Sequence, residues 1–285
     1  MPCIRAELKD RVGVYLDSDS LFELAEGTEL RRKRFVDALR GGGSLLFSGA
    51  NALEVAGPLG ESAKTLRAFL DSLGHYWVPL ELSPWTVARR EESGSKRQSP
   101  VSEWFMRAYF TERSFDLSQQ GDNAFDCSAS TFFRLSAVLD WVHDQRDKVR
   151  GYAVELDRAF GDEWKRLRLE YQKDPSAVDR LLPVIPFDPC CPAKFVFVHL
   201  QRRFAKGSLQ FKKNDSLDFC HAVTASAYGN IATLDTKWRQ CVEGLPRPNR
   251  LAKMYSRPTV GELVDELESL VTRVKKDTGF EQGVF

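Results

Sequence analysis

Residues 211–239 read FKKNDSLDFCHAVTASAYGNIATLDTKWR: a helix signal, a stop and a short apolar run, in that order. Asp215 or Ser216 suits an N-cap. Asp218 then falls in the first helical turn, where free backbone N–H groups and the macrodipole favour an anion. Ala222, Ala225 and Ala227 supply small residues that let the helix lie close against a sheet. Tyr228-Gly229-Asn230 ends it, with Gly near the C′ position. Ile231 to Leu234 has the length and composition of a buried parallel strand, and Asp235 follows at its carboxyl end. Open α/β sheets bind ligands at that end of their strands, so two acids are expected near one sheet edge.

The front of the chain repeats the arrangement. Val12 to Leu16 is apolar and closes on Asp17-Ser18-Asp19-Ser20 before a helical pattern. Ser44 to Phe47 is a third such run, followed by Ser48-Gly49-Ala50-Asn51 and by Glu54, about one turn into the next helix. Asp17, Glu54, Asp218 and Asp235 therefore all lie just beyond strand ends or in the helices that follow them, and the fold class reads as α/β. Carboxylates gathered at about 4–6 Å repel one another and raise each other's pKa. A hard divalent cation, which prefers carboxylate oxygen, removes that penalty.

These residues resemble the PIN-like domain metal-dependent nucleases. The pattern of that family is an Asp after strand one within D-x-N and a Glu in the helix after strand two. A third acid opens a later D-x-x-x-A helix, and a fourth sits in T-x-D-x-x-[FW] after the next strand. Here they read Asp17-Ser18-Asp19, Glu54, Asp218-Phe219-Cys220-His221-Ala222 and Thr233-Leu234-Asp235-Thr236-Lys237-Trp238. Asp19 departs from the family's usual Asn and adds negative charge. The likeness covers the first quarter of the chain and the segment from about Pro192 to Trp238. It implies a three-layer α/β/α core around a central parallel sheet. It also implies that Asp17, Glu54, Asp218 and Asp235 hold Mg²⁺ or Mn²⁺ and hydrolyse a phosphodiester, with RNA as the expected substrate and DNA the alternative. Asp19 and Asp215 would be outer ligands or caps.

The totals set limits on this. A chain of 285 residues buries a full core in one enlarged domain or two. The formal net charge of +1 gives no strong overall attraction for nucleic acid, so any such contact rests on local patches. Candidates are Arg31-Arg32-Lys33-Arg34, which otherwise reads as a solvated helix face, Lys212 and Lys213 before the Asp218 helix, and Lys237. Trp238 beside Lys237 suits base stacking or core packing equally. His221, one turn from Asp218, reads as a structural helix residue and stays outside the catalytic set. The six cysteines lack zinc spacing, and the adjacent Cys190-Cys191 reads as turn and core filling. MPCIRAELKDRVG lacks a signal-peptide core and no run is long enough to span a bilayer, so a cytoplasmic protein with no membrane partner is expected.

Along the remaining chain, helices are expected from about Ser20 to Glu26, from Thr28 to Leu39 with Leu30, Phe35, Val36 and Leu39 inward, and from Ser62 to Leu73. Gly41-Gly42-Gly43 is a turn, since no Lys-Ser/Thr follows to make a P-loop. Trp77 to Leu80 suits a strand, residues 89–102 a polar loop, and Glu103 to about Lys173 helices. Ala193 to Phe204 carries mixed signals and is assigned as helix. Residues 244–258 are expected to wrap the surface before a terminal helix capped by Thr259 and Glu262. The expected division is 1–88 with 184–243 as a discontinuous nuclease-like core, 89–183 as a helical insertion, and 244–285 as a C-terminal extension. Such an insertion would guide substrate, join copies of the chain or bind an inhibitor protein. A non-enzymatic reading is a PIN-like module that binds RNA or protein. A third reading is a haloacid-dehalogenase-type phosphatase, with Asp17 as nucleophile, Asp19 as acid, Ser48 after a strand and Gly121-Asp122-Asn123-Ala124-Phe125-Asp126 as a later motif. It leaves Asp218 and Asp235 without roles.

Overall fold

The computed structural model describes residues 11–57, 60–74, 76–93, 100–102, 135–212 and 214–278. Five strands form one sheet: β1 Val12–Tyr15, β2 Gly43–Ser48, β3 Trp77–Leu80, β4 Ile231–Thr233 and β5 Lys253–Tyr255. Their spatial order is β3-β2-β1-β4-β5. All neighbours run parallel, with Val12 opposite Gly43 and Val14 opposite Ile231. From β1 the chain builds outward through β2 and β3 on one side, then returns to add β4 and β5 on the other. The switch point therefore falls between β1 and β4, where open parallel sheets leave a crevice beyond their carboxyl ends.

Twelve α-helices are present among the described residues. In chain order they are α1 Ser18–Glu26, α2 Glu29–Arg40, α3 Gly49–Val55, α4 Glu61–Ser72, α5 Pro84–Glu92 and α6 Leu135–Asp144. There follow α7 Arg146–Lys173, α8 Pro175–Leu181, α9 Pro192–Ala205, α10 Asp215–Tyr228, α11 Thr236–Glu243 and α12 Val260–Thr278. Side chains alternate across the sheet with the period of two that a pleated strand imposes. Val12 and Val14 of β1, Leu45 and Phe47 of β2, and Ile231 of β4 face a core shared with α1, α2, α4, α6 and α12. Tyr15, Leu46 and Ala232 face the opposite core, built with α5, α7, α8, α9, α10 and α11. Helices thus cover both faces of an all-parallel sheet, as burial of both faces requires. No described helix is long and apolar enough to cross a membrane.

Several expectations change at the edges of elements. Residues 89–92 belong to α5, whose start is set by Ser83 accepting from the Thr86 N–H and by Pro84 in the first turn, rather than to a loop. Leu30 is 69% exposed and takes no part in the α2 stripe. Residues 253–255 form the edge strand β5, missed because three residues, with Lys253 exposed, carry little strand signal. The terminal helix starts after a capping box between Ser256 and Thr259, not between Thr259 and Glu262. Lys213, Cys3, Cys127 and the 121–126 motif lie outside the described residues. The long helix α7 belongs to the packed core: Phe160, Trp164 and Leu167 join the face that α9 and α10 form.

Candidate active site

Two carboxylates stand on either side of the switch point. Asp17, two residues beyond β1, N-caps α1 by accepting from the Ser20 N–H at 3.0 Å. Asp235, two residues beyond β4, N-caps α11 by accepting from the Trp238 N–H at 2.7 Å. Thr233, at the end of β4, ties the two strand ends together. Its hydroxyl donates to Asp17 Oδ1 at 3.0 Å and accepts from the Asp17 N–H at 2.9 Å. In both acids only Oδ1 serves the cap, and among the described residues Oδ2 takes no hydrogen bond.

The other two acids enter from α3 and α10. Glu54 lies near the end of α3, and its Oε2 accepts from the Ser18 hydroxyl and, at 3.1 Å, from His221 Nε2. Gly49 lets α3 begin this close to its neighbour: a Cβ there would sit 2.8 Å from Leu82 Cβ. Asp218 occupies the first turn of α10, one turn before His221 on the same helix face. It accepts no hydrogen bond from a described residue, and its carboxyl is pushed up to about 6. Burial is the largest cause; His221 opposes it, and the charges of Asp235, Glu54 and Asp215 reinforce it. Asp218 therefore feels Glu54 and Asp235, acids far from it in sequence, at one end of the sheet.

His221 is the residue that the sequence reading set aside, and it lies within the cluster. It is 3% exposed, with Nδ1 against the Tyr15 hydroxyl and Nε2 against Glu54. The Tyr15 hydroxyl meets Ser48 Oγ at 2.7 Å, Ser48 Oγ donates to Asn51 Oδ1 at 3.0 Å, and Asn51 Nδ2 donates to the Leu16 carbonyl at 2.9 Å. The two hydroxyls and the imidazole thus form one relay whose donor sense follows the His221 tautomer. Burial alone would lower the His221 pKa, but Glu54, Asp17 and Asp218 outweigh it and the net direction is up. Glu54 moves the opposite way: burial would raise it, yet His221 and the Ser18 hydroxyl bring it below the usual range. Tyr15, fully buried, is raised by its burial. The sequence held one signal for His221, its i, i+3 spacing from Asp218.

The start of α10 is also held from outside the motif. Its N-cap is Asn214, at φ 73°, in place of Asp215 or Ser216. Asp157 of α7 supplies the missing cap, accepting from the Asn214 N–H at 2.8 Å and from the Ser216 hydroxyl. Asp215, 5% exposed, accepts from the Lys212 N–H and, at 2.6 Å, from Lys237 Nζ. The Lys237 ammonium lies 5.0 Å from the Trp238 ring centroid, and Trp238 itself is 1% exposed, a core residue. Asp19 is exposed in the first turn of α1, and Lys212 is exposed before α10.

The basic run is engaged elsewhere. Arg34 donates to Asp265 and Glu268 of α12, Arg32 to the carbonyls of Ala25 and Gly27, and Arg31 lies 3.7 Å from Glu23; Lys33 is exposed. Ser48, which the phosphatase reading needed free, is the N-cap of α3 within the Tyr15–Asn51 chain.

Hard carboxylate oxygens are the donor type that Mg²⁺ and Mn²⁺ select. The unpartnered, elevated Asp218 and the open Oδ2 atoms of Asp17 and Asp235 fit such an ion in kind. In their present rotamers no three His, Cys, Asp or Glu side chains among the described residues are grouped to hold a metal. No family model, curated protein or solved structure matches this chain.

Proposed function

We propose that this protein is a divalent-metal-dependent phosphodiesterase of PIN-like architecture, acting on RNA through Asp17, Glu54, Asp218 and Asp235. One observation carries the reading: Asp218 is a carboxyl with no hydrogen-bond donor among the described residues, raised to about 6 by burial and by Asp235, Glu54 and Asp215, beside the switch point of a parallel sheet. Like charges are held together there at a penalty that the fold alone does not require. The positions of the acids after β1 and β4 and on α3 and α10 agree with the motifs of the resemblance.

When bound, Mg²⁺ or Mn²⁺ supplies Lewis-acid charge at a phosphoryl oxygen and an activated water. The protein's part is to hold oxygens in a fixed array. Asp17 and Asp235 are anchored through Oδ1 by helix N-termini, which leaves Oδ2 of each for a ligand. Thr233 keeps the two strand ends in register, and Asp157 fixes the turn that carries Asp218. In hydrolysis the water oxygen bonds phosphorus, the ester bond to the leaving sugar oxygen breaks, and that oxygen gains a proton.

The test is Mn²⁺-dependent cleavage of single-stranded RNA by the pure protein. Asp17→Asn or Asp218→Asn is expected to reduce it by about 10²-fold or more, the scale on which metal-site residues act; undiminished cleavage overturns the assignment. A second reading, a binding module with little catalysis, draws on the His221–Glu54 pair, in which the imidazole 3.1 Å away already occupies Glu54 Oε2. Calorimetry in which the wild-type protein takes up no Mn²⁺ would select it.

A further inference from the structure

Between α5, α7, α8 and α9 lies a cavity of about 280 Å³ that none of the four acids lines. That is near the lower end of the ~300–1,000 Å³ typical of small-molecule sites. Its walls are largely apolar: Trp85 and Phe197 meet edge to face with centroids 5.3 Å apart, and Leu167 and Leu182 also line it. Trp85 is 39% exposed, so part of the indole remains uncovered. Two polar groups of the lining are unused. Gln201 of α9 is 2% exposed, and its amide makes no hydrogen bond with a described residue. A buried amide left unpaired is costly, and a ligand in the cavity would relieve that cost. Arg89, one turn after Trp85 on the same face of α5, has neither a hydrogen bond nor an ion pair with a described residue. The other charges of the lining cancel in two pairs, Lys194 with Glu92 at 2.9 Å and Arg166 with Glu163 at 2.7 Å. The cavity therefore offers an aromatic surface, a buried amide and one unopposed cation.

Each of the three selects part of a ligand. An indole face takes a flat base by stacking. A Gln amide sets a donor beside an acceptor, the pattern that pairs with the edge of adenine. A guanidinium takes phosphate. A hydrocarbon acid would satisfy the cation and the apolar wall but leave the Gln201 amide unpaired. We propose that this cavity binds a nucleotide, its base against Trp85 and Gln201 and its phosphate at Arg89. The inference goes beyond the metal-dependent reading and stands without it, since the residues of the cavity and the acid set are distinct. The two places adjoin through the core: the Phe197 ring meets that of Phe219, the residue after Asp218, with centroids 5.6 Å apart.

The experiment is isothermal titration of the full chain, without metal, with AMP, adenosine, ribose 5-phosphate and decanoate. AMP is expected to bind more tightly than the other three. Trp85→Ala and Gln201→Leu should each weaken AMP by about tenfold and leave ribose 5-phosphate unchanged. Arg89→Ala should weaken AMP by about tenfold or more and leave adenosine unchanged. Trp85 and Arg89 are exposed, so their variants decide the matter if Gln201→Leu does not fold. Absence of AMP binding at millimolar concentration, equal loss of AMP and adenosine in Arg89→Ala, or decanoate held more tightly than AMP each overturns the inference. A short oligoadenylate RNA that displaces AMP supports it and gives the source of the ligand: a strand if the oligomer binds more tightly than AMP, a free nucleotide if less. AMP binding by a protein that cleaves no RNA with Mn²⁺ upholds this inference and overturns only the metal-dependent reading.

Discussion

The two faces of the sheet bury side chains equally well and arrange their rings differently. Beneath α12 the packing is aliphatic, with Val260, Leu263, Val264, Leu267 and Val271 in one core with Val12 and Val14, and the rings of that face meet in separate pairs, Phe35 with Phe69 and Phe47 with Trp77. Its charged groups are engaged at the surface in pairs such as Arg34 with Asp265 and Glu268, and Lys253 with Glu266. On the α10 face the rings join in one cluster. Trp164 stacks on Phe204 with centroids 4.0 Å apart, and Phe219 has ring neighbours in Phe160, Trp164, Phe197, Phe204 and Trp238. Phe219 adjoins Asp218, and Trp238 lies in the first turns of the helix that Asp235 caps. Large rings with few rotamers hold the acid-bearing helices in one position, which a carboxylate cluster under mutual repulsion needs. One face keeps the protein folded; the other also keeps charges where they would not settle by themselves.

The largest effect that can break this contrast is a cavity on each side. Phe219→Ala should cost about 3–5 kcal/mol and Leu267→Ala about 2–5 kcal/mol in urea unfolding. Only Phe219→Ala should also weaken Mn²⁺ binding in the protein that remains folded, by about tenfold. Equal weakening by both variants would mean that the ring cluster has no special role.

A smaller effect of opposite sign sharpens the point. The Asp218 carboxyl is pushed up to about 6 in the folded protein from an ordinary value of 3.8. A raised carboxyl favours folding while protonated, so its contribution is present below about pH 4 and is lost as pH rises through about 6. Above that the charged group destabilises the fold. The full shift corresponds to about 3 kcal/mol, which partial solvent exposure reduces to about 1–2 kcal/mol. Asp218→Asn should therefore stabilise the metal-free protein by about that amount at pH 8 and by almost nothing at pH 4, as thermal melts at the two pH values would record. A variant that loses activity and gains stability marks a residue kept for chemistry.

The smallest effect belongs to the other face. Arg34→Ala removes a surface network to α12, and the expected loss of stability is small and smaller still in high salt, as urea unfolding at two salt concentrations would record. RNA affinity, measured by fluorescence anisotropy, should not change, because this guanidinium is engaged by α12. A clear drop in affinity would return the basic run to the list of phosphate contacts.

What the sequence made legible follows from how local each signal is. The apolar runs at residues 12–16, 44–47, 77–80 and 231–234 are short-range patterns, and each falls on a strand, to within one residue at either end. Helix α9 was readable despite its run of Phe and Val because Pro192 starts it and Arg202 and Arg203 lie in its last turn. The acids at strand ends were readable through spacing. The role of His221 was not, because its partners Tyr15 and Glu54 are 206 and 167 residues away. Asp157 was invisible for the same reason: no local pattern says that an acid in α7 caps a helix that starts at Asp215. β5 failed for the reverse cause, since three residues at a sheet edge generate almost no periodicity.

Asp17 and Thr233 exchange two hydrogen bonds across 216 residues of chain. On a ribosome, Glu54 emerges 167 residues before His221, and Asp218 and Asp235 lie beside that later segment. The nascent polypeptide thus carries half of a carboxylate cluster with nothing to crowd against it. Only the folded chain brings the two strand ends together, so neither segment sets the geometry of the pocket without the other.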